Sequence, residues 1–351
     1  MLLHLTQNST EPMREQIARQ VRSRILTGDL GEGSRLPEAR QVAREHRVSR
    51  HDVRRAFEEL EVEGLLQGGD GDGFIVAELS PQQRRECAVR RLADDAAERE
   101  LSLRELELAC DIQRRLLPPA AVTGDGYSVV SRSFAARFVS GDFYDVLQHP
   151  DGSVGVVVAD VAGKGFGASL IMASVKAMAP FIAAGRGVAE TLRELNGRLC
   201  RELGRGQFVA LAYARVTPAT GVVEVANAGM PDPFVLQEGG AVSPIEVPGP
   251  RLPLGLRADV PYASATRAVG PGARLLLFSD GLAEARRASG EPLGYEGLGA
   301  LLARLSAPGW SAQPTGAWLD GVLDEIQRET SPVLDDDWTA VAVECRRSGG
   351  A

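Results

Sequence analysis

The chain has 351 residues, of which 44% are hydrophobic and 25% are charged, a composition typical of a globular protein with room for two domains. Its formal net charge of -8 makes the chain as a whole a poor match for nucleic acid, so any DNA contact would need a local basic patch. The four cysteines (Cys87, Cys110, Cys200 and Cys345) form no CxxC pair, which argues against a structural zinc site and a disulfide framework and indicates free thiols in a reducing cytosol.

The sequence gives no indication of export or of a membrane span. The first residues, MLLHLTQNSTEPM, lack the basic and then apolar pattern of a signal peptide. In the longest apolar stretch, SLIMASVKAMAPFIAA, Lys176 interrupts before about 20 apolar residues accumulate. We therefore expect a cytoplasmic protein that makes no membrane contact.

The first zone of the sequence alternates short helical patterns and ends in a glycine-rich turn, GGDGDG, and an apolar run, FIVAEL. Its segments resemble the winged helix-turn-helix of GntR regulators. GDLGEGSRLPEARQVA matches the turn and second helix, VSRHDVRRAFEELEVEGLL matches the recognition helix, and GGDGDGFIVA matches the two-stranded wing. This resemblance places a winged helix-turn-helix domain at residues 1–79.

The predicted recognition helix begins with residues that suit the major groove of DNA. Ser49 is placed to cap the helix, and arginine side chains there can make bidentate contacts to guanine or phosphate. The candidate DNA contacts are Ser49, Arg50, His51 and Arg54, and the resemblance adds Arg40 as a phosphate contact.

The charge of this zone argues against tight DNA binding. The wing lacks the usual basic residues and carries Asp70 and Asp72, and residues 1–80 contain 11 arginines against 14 acidic residues. Because phosphate contacts dominate non-specific affinity, we expect weak binding. A domain that keeps the fold but serves dimerisation or sensing is an equal alternative.

Residues 80–119 predict a long linker helix, because they contain no glycine and many charges and stop at Pro118 and Pro119. The apolar side chains that follow the seven- and four-residue spacings of a coiled-coil seam are Leu101, Leu108, Ile112 and Leu116. A homodimer formed through this seam and a single helix packed on the following domain both fit the pattern.

From about residue 120 onward, strand-like runs alternate with turns and helices, and four of the runs begin or end at aspartate. The four segments are RFVSGDFYDVL with Asp142 and Asp145, GSVGVVVADVAGKG with Asp160, ARLLLFSDGLAEA with Asp280, and the acidic start of DDDWTAVAVEC. A single aspartate at a strand end is most often a turn residue. Four such aspartates, each next to a regular strand, indicate a site.

Carboxylates beside glycine-rich turns are the oxygen ligands that Mg²⁺ and Mn²⁺ prefer. Two such ions, about 3.5–4 Å apart, need a bridging carboxylate and further acidic ligands. Aspartates from four distant segments can meet only if their strands share one sheet or two facing sheets. The sequence therefore predicts a site for two divalent cations at the ends of such strands.

The ordered segments VSGDFYDV, VVVADVAGKG, VANAGMPDPFVL, RLPLGL, LLLFSDGLAEA and DDDWTAV resemble the motif set of the SpoIIE/RsbU-type PPM phosphatases, from about residue 112 to 346. The resemblance implies an α+β fold, an α-β-β-α sandwich of two antiparallel sheets flanked by helices, over residues 120–347. It also implies hydrolysis of phosphoserine or phosphothreonine on a protein.

The resemblance assigns the metal ligands position by position. Asp142 and Asp160 would bind two Mn²⁺ or Mg²⁺ ions, with Asp160 bridging both, and the backbone carbonyl of Val161 would complete one site. Asp280 in SDGL would be a further ligand. The implied reaction is in-line attack on phosphorus by a metal-bound hydroxide, without a covalent phospho-enzyme.

The fourth aspartate falls in the acidic run DDDWT. The family pattern D-(D or N)-x-T places the ligand at Asp336, although Asp335 and Asp337 leave that register open. All four expected aspartates are present, which argues against a catalytically inactive domain.

Two positions depart from the family pattern. Met230 stands where relatives usually have the histidine of NAGH, and Ser140-Gly141 stands where they usually have a glycine pair. Neither position is a metal ligand. Met230 could alter substrate fit or switching, or it could be a neutral change in packing, which is the favoured interpretation.

The leading hypothesis is a signalling phosphatase controlled by its N-terminal module. The resemblance implies a substrate such as a phosphorylated STAS-domain anti-sigma-factor antagonist. The alternative is a GntR-like DNA-binding transcription regulator that uses the C-terminal domain as a sensor without turnover. The intact aspartates speak against this alternative.

Overall fold

The computed structural model describes residues 3–6, 9, 11–27, 29–68, 73–78, 100–136, 138–163, 165–306, 313–331 and 333–346. The chain divides into two compact units, Met1–Arg104 and Glu105–Ala351. Cys87, the wing residues Asp70 and Asp72, and the predicted linker helix before residue 100 lie outside the described residues.

The first unit contains helices followed by a two-stranded antiparallel wing. Its elements are α1 (Met13–Thr27), α2 (Ala39–His46), α3 (Arg50–Val62), β1 (Leu66–Gly68) and β2 (Phe74–Val76). The hydroxyl of Ser49 accepts a hydrogen bond from the backbone N of His51 at 3.2 Å, so Ser49 caps α3 as predicted. The unit has the predicted winged helix-turn-helix architecture.

The core of the first unit forms around Phe57. Val53, Phe57 and Leu60 are buried along one face of α3, at the spacing that makes a helix amphipathic. Ile17 packs in the same cluster from α1. The ring of Phe74 meets Phe57 edge to face, with 5.5 Å between ring centroids, and so ties the wing to the helices.

The second unit is built on two antiparallel sheets. In spatial order, the first sheet contains β10 (Val242–Pro244), β9 (Phe234–Leu236), β12 (Arg274–Phe278), β13 (Trp338–Cys345), β4 (Tyr127–Phe134) and β3 (Ala121–Gly124). The second sheet contains β11 (Ala265–Ala268), β8 (Val222–Ala228), β7 (Val209–Thr217), β6 (Val154–Val161) and β5 (Phe143–Gln148).

The inner faces of the two sheets share one hydrophobic core. Val156 and Val158 of β6 lie in the same buried cluster as Leu275 of β12 and Val341 of β13. The intervening β6 residues face the other way, and Val157 packs into the cluster beneath the helices. This alternation explains why VGVVVADV is apolar nearly throughout: both of its faces are covered.

Helices cover the outer face of each sheet. The second sheet carries α5 (Phe166–Ala183) and α6 (Val188–Glu202), and the first sheet carries α7 (Asp280–Glu284), α8 (Gly294–Leu305) and α9 (Thr315–Glu329). The unit is therefore the α-β-β-α sandwich that the sequence predicted.

Helix α4 covers residues 100–116 of the described chain and ends just before Pro118, as predicted. The side chains of its predicted seam are all exposed in the single chain, namely Leu101, Leu108, Ile112 and Leu116.

Helix α5 has the length and apolar composition that a membrane crossing would require, and core helices meet the same criterion. Here Met172, Val175 and Ile182 pack onto the second sheet. Lys176, which interrupts the apolar run, forms an ion pair with Asp145 at 2.9 Å. The positive charge of Lys176 is therefore paired with Asp145 on the second sheet, against which α5 packs.

Trp318 of α9 provides a test of the first sheet's packing. Its side chain is fully buried, and the guanidinium of Arg274 lies 5.1 Å from the centre of its ring. Trp318→Ala should lower the free energy of unfolding by about 3–5 kcal/mol, because a cavity replaces the indole. Chemical denaturation measures this value. Phe181→Ala, at a side chain that is 82% exposed, is the control, and an equal loss in both variants would contradict the assigned core.

Candidate metal centre

Two of the predicted aspartates lie opposite each other on neighbouring strands of the second sheet. Strands β5 and β6 pair with Phe143 opposite Ala159, so Asp142, just before β5, faces Asp160 near the end of β6. Asp142 is buried, whereas Asp160 retains partial exposure. The hairpin register therefore brings together the residues from the first two aspartate segments.

The other two aspartates lie at adjacent strand ends of the first sheet. Asp280 begins α7 directly after β12, and Asp336 comes shortly before β13. Between them, Ser279 N donates to Thr339 O at 2.9 Å, and Thr339 N donates to Ser279 Oγ at 3.0 Å. These hydrogen bonds fix the start of α7 against the start of β13.

Asp337 joins the two sheets at this edge. Its Oδ1 accepts a hydrogen bond from Ala136 N at 2.8 Å, and its Oδ2 accepts hydrogen bonds from Ser140 Oγ at 2.6 Å and Gly141 N at 3.0 Å. Both carboxylate oxygens of Asp337 are thus occupied by protein donors. This supports Asp336, rather than Asp337, as the ligand in the acidic run.

Ser140 has a definite role where the family pattern has glycine. Its hydroxyl accepts a hydrogen bond from Asp142 N at 2.9 Å while it donates to Asp337. Its backbone is held by Gln113 of α4: Gln113 Nε2 donates to Ser140 O at 2.7 Å, and Ser140 N donates to Gln113 Oε1 at 2.9 Å. Helix α4 is therefore hydrogen-bonded to the loop that positions Asp142.

Two glycines allow the backbone to come close at this edge. A Cβ on Gly141 would stand 2.9 Å from Val161 O and 3.2 Å from Asp160 Oδ1. A Cβ on Gly281 would stand 2.1 Å from Asp337 O. Glycine is therefore required at both positions, and the Val161 carbonyl and Asp160 lie directly beside the Asp142 loop.

The clustered carboxylates disfavour one another's ionised form. Burial raises the pKa of Asp142 well above its ordinary value and the negative charge of Asp160 adds to this, although the hydroxyl of Ser279 partly counteracts it. Burial, followed by the charges of Asp280 and Asp336, raises the pKa of Asp160 to about 7. The other three predicted aspartates are thus within electrostatic reach of Asp160.

The donor set fits hard divalent cations. Asp142 Oδ2 is buried and has no hydrogen-bond partner among the described residues, an arrangement that a bound cation would satisfy. Carboxylate and carbonyl oxygens are the ligands that Mg²⁺ and Mn²⁺ prefer. Among the described residues, no three aspartate, glutamate, histidine or cysteine side chains are already close enough together to hold a metal ion without further ligands.

Two other residues singled out in the sequence are held by partners outside the predicted ligand set. Asp145, from the first aspartate segment, is buried and paired with Lys176. Met230 is buried in the core between the sheets, and its backbone exchanges hydrogen bonds of 2.9 Å with the Asn227 side chain. Its placement supports packing as the reason for methionine at this position.

The candidate DNA contacts of the first unit are exposed, with Arg40 in the first turn of α2 and the others at the start of α3. Some of their charge is engaged by neighbouring acids: Arg40 pairs with Glu38 at 2.5 Å, and Arg54 pairs with Glu58 at 3.0 Å. This agrees with the acidic character of the zone and lowers the positive potential offered to a phosphate backbone.

The two sheets, their flanking helices and the carboxylates at one edge define a PP2C-like fold. A model of the stage II sporulation protein E (SpoIIE) family matches residues 150–346, more than half of the chain, so the chain belongs to the SpoIIE family. A model of the bacterial regulatory proteins of the gntR family matches residues 13–76, and the chain carries this helix-turn-helix domain at its N-terminal side.

The chain is similar to phosphoserine phosphatase RsbU of Bacillus subtilis, with 28% identity over 188 residues, which cover 53% of this chain and 55% of RsbU. The chain spans about half the length of the curated phosphoserine phosphatases it matches.

Two solved structures share the fold. The SiaA-PP2C domain of Pseudomonas aeruginosa has a TM-score of 0.59 and 20% identity, with 71% of this chain and 99% of that chain covered. The RsbU and RsbW domains of a Mycobacterium tuberculosis protein have a TM-score of 0.58 and 23% identity, with 66% and 63% covered.

The raised pKa values predict how stability changes with pH when metal is removed. Because the folded state keeps the Asp160 proton that the unfolded state loses near 3.8, the free energy of unfolding should fall as pH rises from about 4 to about 7. Unfolding of the full chain in EDTA across this range measures the slope. Asp160→Asn should flatten it, whereas Asp111→Asn, at an exposed carboxylate of α4, should not. A slope that is equal in all three proteins would contradict the assignment.

Proposed function

We propose that this protein is a metal-dependent protein phosphatase that hydrolyses phosphoserine or phosphothreonine on a signalling protein. The observation that carries the proposal is the buried Asp142 carboxylate, which has an unpartnered oxygen and lies next to Asp160. Asp160 in turn lies within electrostatic reach of Asp280 and Asp336. Membership of the SpoIIE family and similarity to a named phosphoserine phosphatase support the same reaction class.

The residues proposed to hold two Mn²⁺ or Mg²⁺ ions are Asp142, Asp160, Asp280 and Asp336, together with the backbone carbonyl of Val161. When bound, the ions would supply a water of lowered pKa and neutralise charge on the phosphoryl oxygens. The protein's own contribution is positioning: Asp337 and Ser140 hold the Asp142 loop, and Ser279 with Thr339 hold the segments of Asp280 and Asp336.

The proposed substrate is a phosphorylated STAS-domain protein of the anti-sigma-factor antagonist kind. This finer proposal is supported by the similarity to RsbU and by the family resemblance of the catalytic motifs. A reducing cytoplasm is the compartment we propose for it.

The N-terminal domain is proposed to regulate the phosphatase. The exposed stripe of α4 supports a homodimer formed through Leu108, Ile112 and Leu116, because exposed apolar side chains at coiled-coil spacing favour a partner helix. Gln113 of the same helix contacts the Asp142 loop, which supports a path from the linker to the metal centre.

A second candidate function is sequence-specific DNA binding that uses the phosphatase-like domain as a sensor. The cap at Ser49 and the exposed Arg50, His51 and Arg54 favour it. The acidic balance of the domain argues for weak affinity. Tight operator binding at physiological salt without any Mn²⁺-dependent phosphate release would favour this candidate over the enzyme.

The direct test of the proposed function uses the ligand aspartates. With Mn²⁺ and a phosphoserine protein, Asp160→Asn and Asp280→Asn should each lower the rate of phosphate release by more than about 100-fold, because loss of even an outer partner of a metal ligand costs 10–100-fold. Asp320→Asn, at an exposed aspartate of α9, is the control. Full activity in both ligand variants would refute the proposed chemistry.

Asp337 should behave as a positioning residue rather than a ligand. Asp337→Ala removes three hydrogen bonds to the Asp142 loop and should weaken Mn²⁺ binding by about 10–100-fold, as measured by calorimetric titration. Asp337→Asn retains a carbonyl oxygen for Ser140 Oγ and Gly141 N and should lose much less affinity. If the asparagine variant lost as much affinity as the alanine variant, Asp337 would be a metal ligand.

A further inference from the structure

A groove of about 890 Å³ opens directly beside the candidate metal centre. One wall is formed by Cys110 and Arg114 of α4, and the other by Phe134 and Phe138 from the end of β4 and the segment after it. Leu334 also lines the groove, and Asp142 forms part of its surface. The volume lies within the range of sites that bind sizeable ligands, about 300–1,000 Å³.

The apolar surface of this groove is accessible to water. Phe134 is 46% exposed and Phe138 is 52% exposed, although both have large aromatic rings whose burial would be favourable. Adjacent exposed aromatic side chains in a concave surface are typical of a binding site. Arg114, whose side chain is 75% exposed, places a positive charge at the edge of the same groove.

The position of the groove indicates what would occupy it. Its lining includes Asp142, which carries the buried carboxylate oxygen without a partner. A phosphorylated side chain held at the metal centre must leave its flanking residues in the neighbouring space. A smaller space of about 200 Å³ adjoins Asp336, but it is lined by the charged residues Glu284, Arg286 and Asp335 and suits an apolar segment poorly.

We propose that the groove binds the chain segment that flanks the phosphorylated residue of a protein substrate and selects an apolar side chain in that segment. This inference rests on the proposed phosphatase function and adds a substrate preference to it. The aromatic rings of Phe134 and Phe138 supply the apolar contacts, and the metal centre binds the phosphate. Affinity and discrimination between substrates therefore come from different parts of one continuous site.

The test measures binding separately from turnover. Two short fluorescent peptides, each with one central non-hydrolysable phosphonate analogue of phosphoserine, carry leucines or glutamines at the flanking positions and are titrated with the full chain in the presence of Mn²⁺. The leucine peptide should bind at least about 10-fold more tightly, because filling an apolar pocket commonly gives 10-fold or greater discrimination. In Phe138→Ala this ratio should fall towards one. In Phe181→Ala, an equally drastic change outside the groove, the ratio should stay at the wild-type value.

Equal binding of both peptides by the wild type, or an unchanged ratio in Phe138→Ala, would overturn the proposal. Cys110 provides an independent readout, since it lines the groove and is partly exposed. Saturating leucine peptide should slow alkylation of Cys110, followed by mass spectrometry, and leave Cys200 unaffected. Undiminished alkylation of Cys110 would contradict occupation of the groove.

A parallel assay separates this inference from the proposed function. Mn²⁺-dependent hydrolysis of p-nitrophenyl phosphate by the wild type requires the metal centre but no flanking segment. Selective peptide binding without this hydrolysis would contradict the phosphatase function and not the groove. Hydrolysis without selective peptide binding would contradict the groove alone.

Discussion

The arrangement of this protein depends on one buried and several partly buried carboxylates that converge at one edge of a β-sandwich. Such a cluster is unfavourable by itself, because burial and mutual repulsion disfavour its ionised form, as the raised pKa values of Asp142 and Asp160 indicate. The surrounding structure offsets this cost with fixed hydrogen bonds from Ser140, Ser279 and backbone N–H groups. A divalent cation would neutralise the repulsion between these carboxylates and would be attracted by all of them. The cluster therefore supports the proposed metal-dependent function.

The β-sandwich can gather these carboxylates because it brings four distant chain segments together at one edge. Each sheet contributes two neighbouring strand ends, and the core between the sheets fixes their separation. Asp337 then links the edges by accepting hydrogen bonds across the sheets from the Asp142 loop. Helix α4 reaches this loop through Gln113, so this helix is hydrogen-bonded to the loop of the candidate metal centre.

Much of the fold could be predicted from the sequence, because short sequence patterns specify strand ends and helix starts and because the motifs occur in the order typical of the family. The apolar run before Asp160, the glycine-rich turn after it and the cap at Ser49 each specify a strand end or a helix start. The convergence of Asp142, Asp160 and Asp280 followed from the motif set. The burial of Met230 supports the favoured interpretation of this position as a change in packing.

Other features of the site could not be read from the sequence because they depend on long-range partners. Asp145 resembled a site residue until its ion pair with Lys176 on α5 placed it elsewhere. The sequence leaves the register of the acidic run open, and the hydrogen bonds accepted by Asp337 support Asp336 as the proposed ligand. In the sequence, Ser140 is only a departure from a glycine pair, because its hydrogen-bond partners are not visible there. The groove beside Asp142 is formed by segments that are far apart in the chain, so the sequence does not reveal it either.

The most direct test of a two-cation site at these carboxylates is a titration of the metal-free full chain with Mn²⁺, monitored by electron paramagnetic resonance. Two ions held about 3.5–4 Å apart by a shared carboxylate should give the spectrum of a magnetically coupled pair, with an end point of two ions for each chain. The coupled signal should be absent when Asp160 is replaced by asparagine. Failure of the wild-type chain to take up Mn²⁺, or uptake only as isolated uncoupled ions, would contradict the central claim.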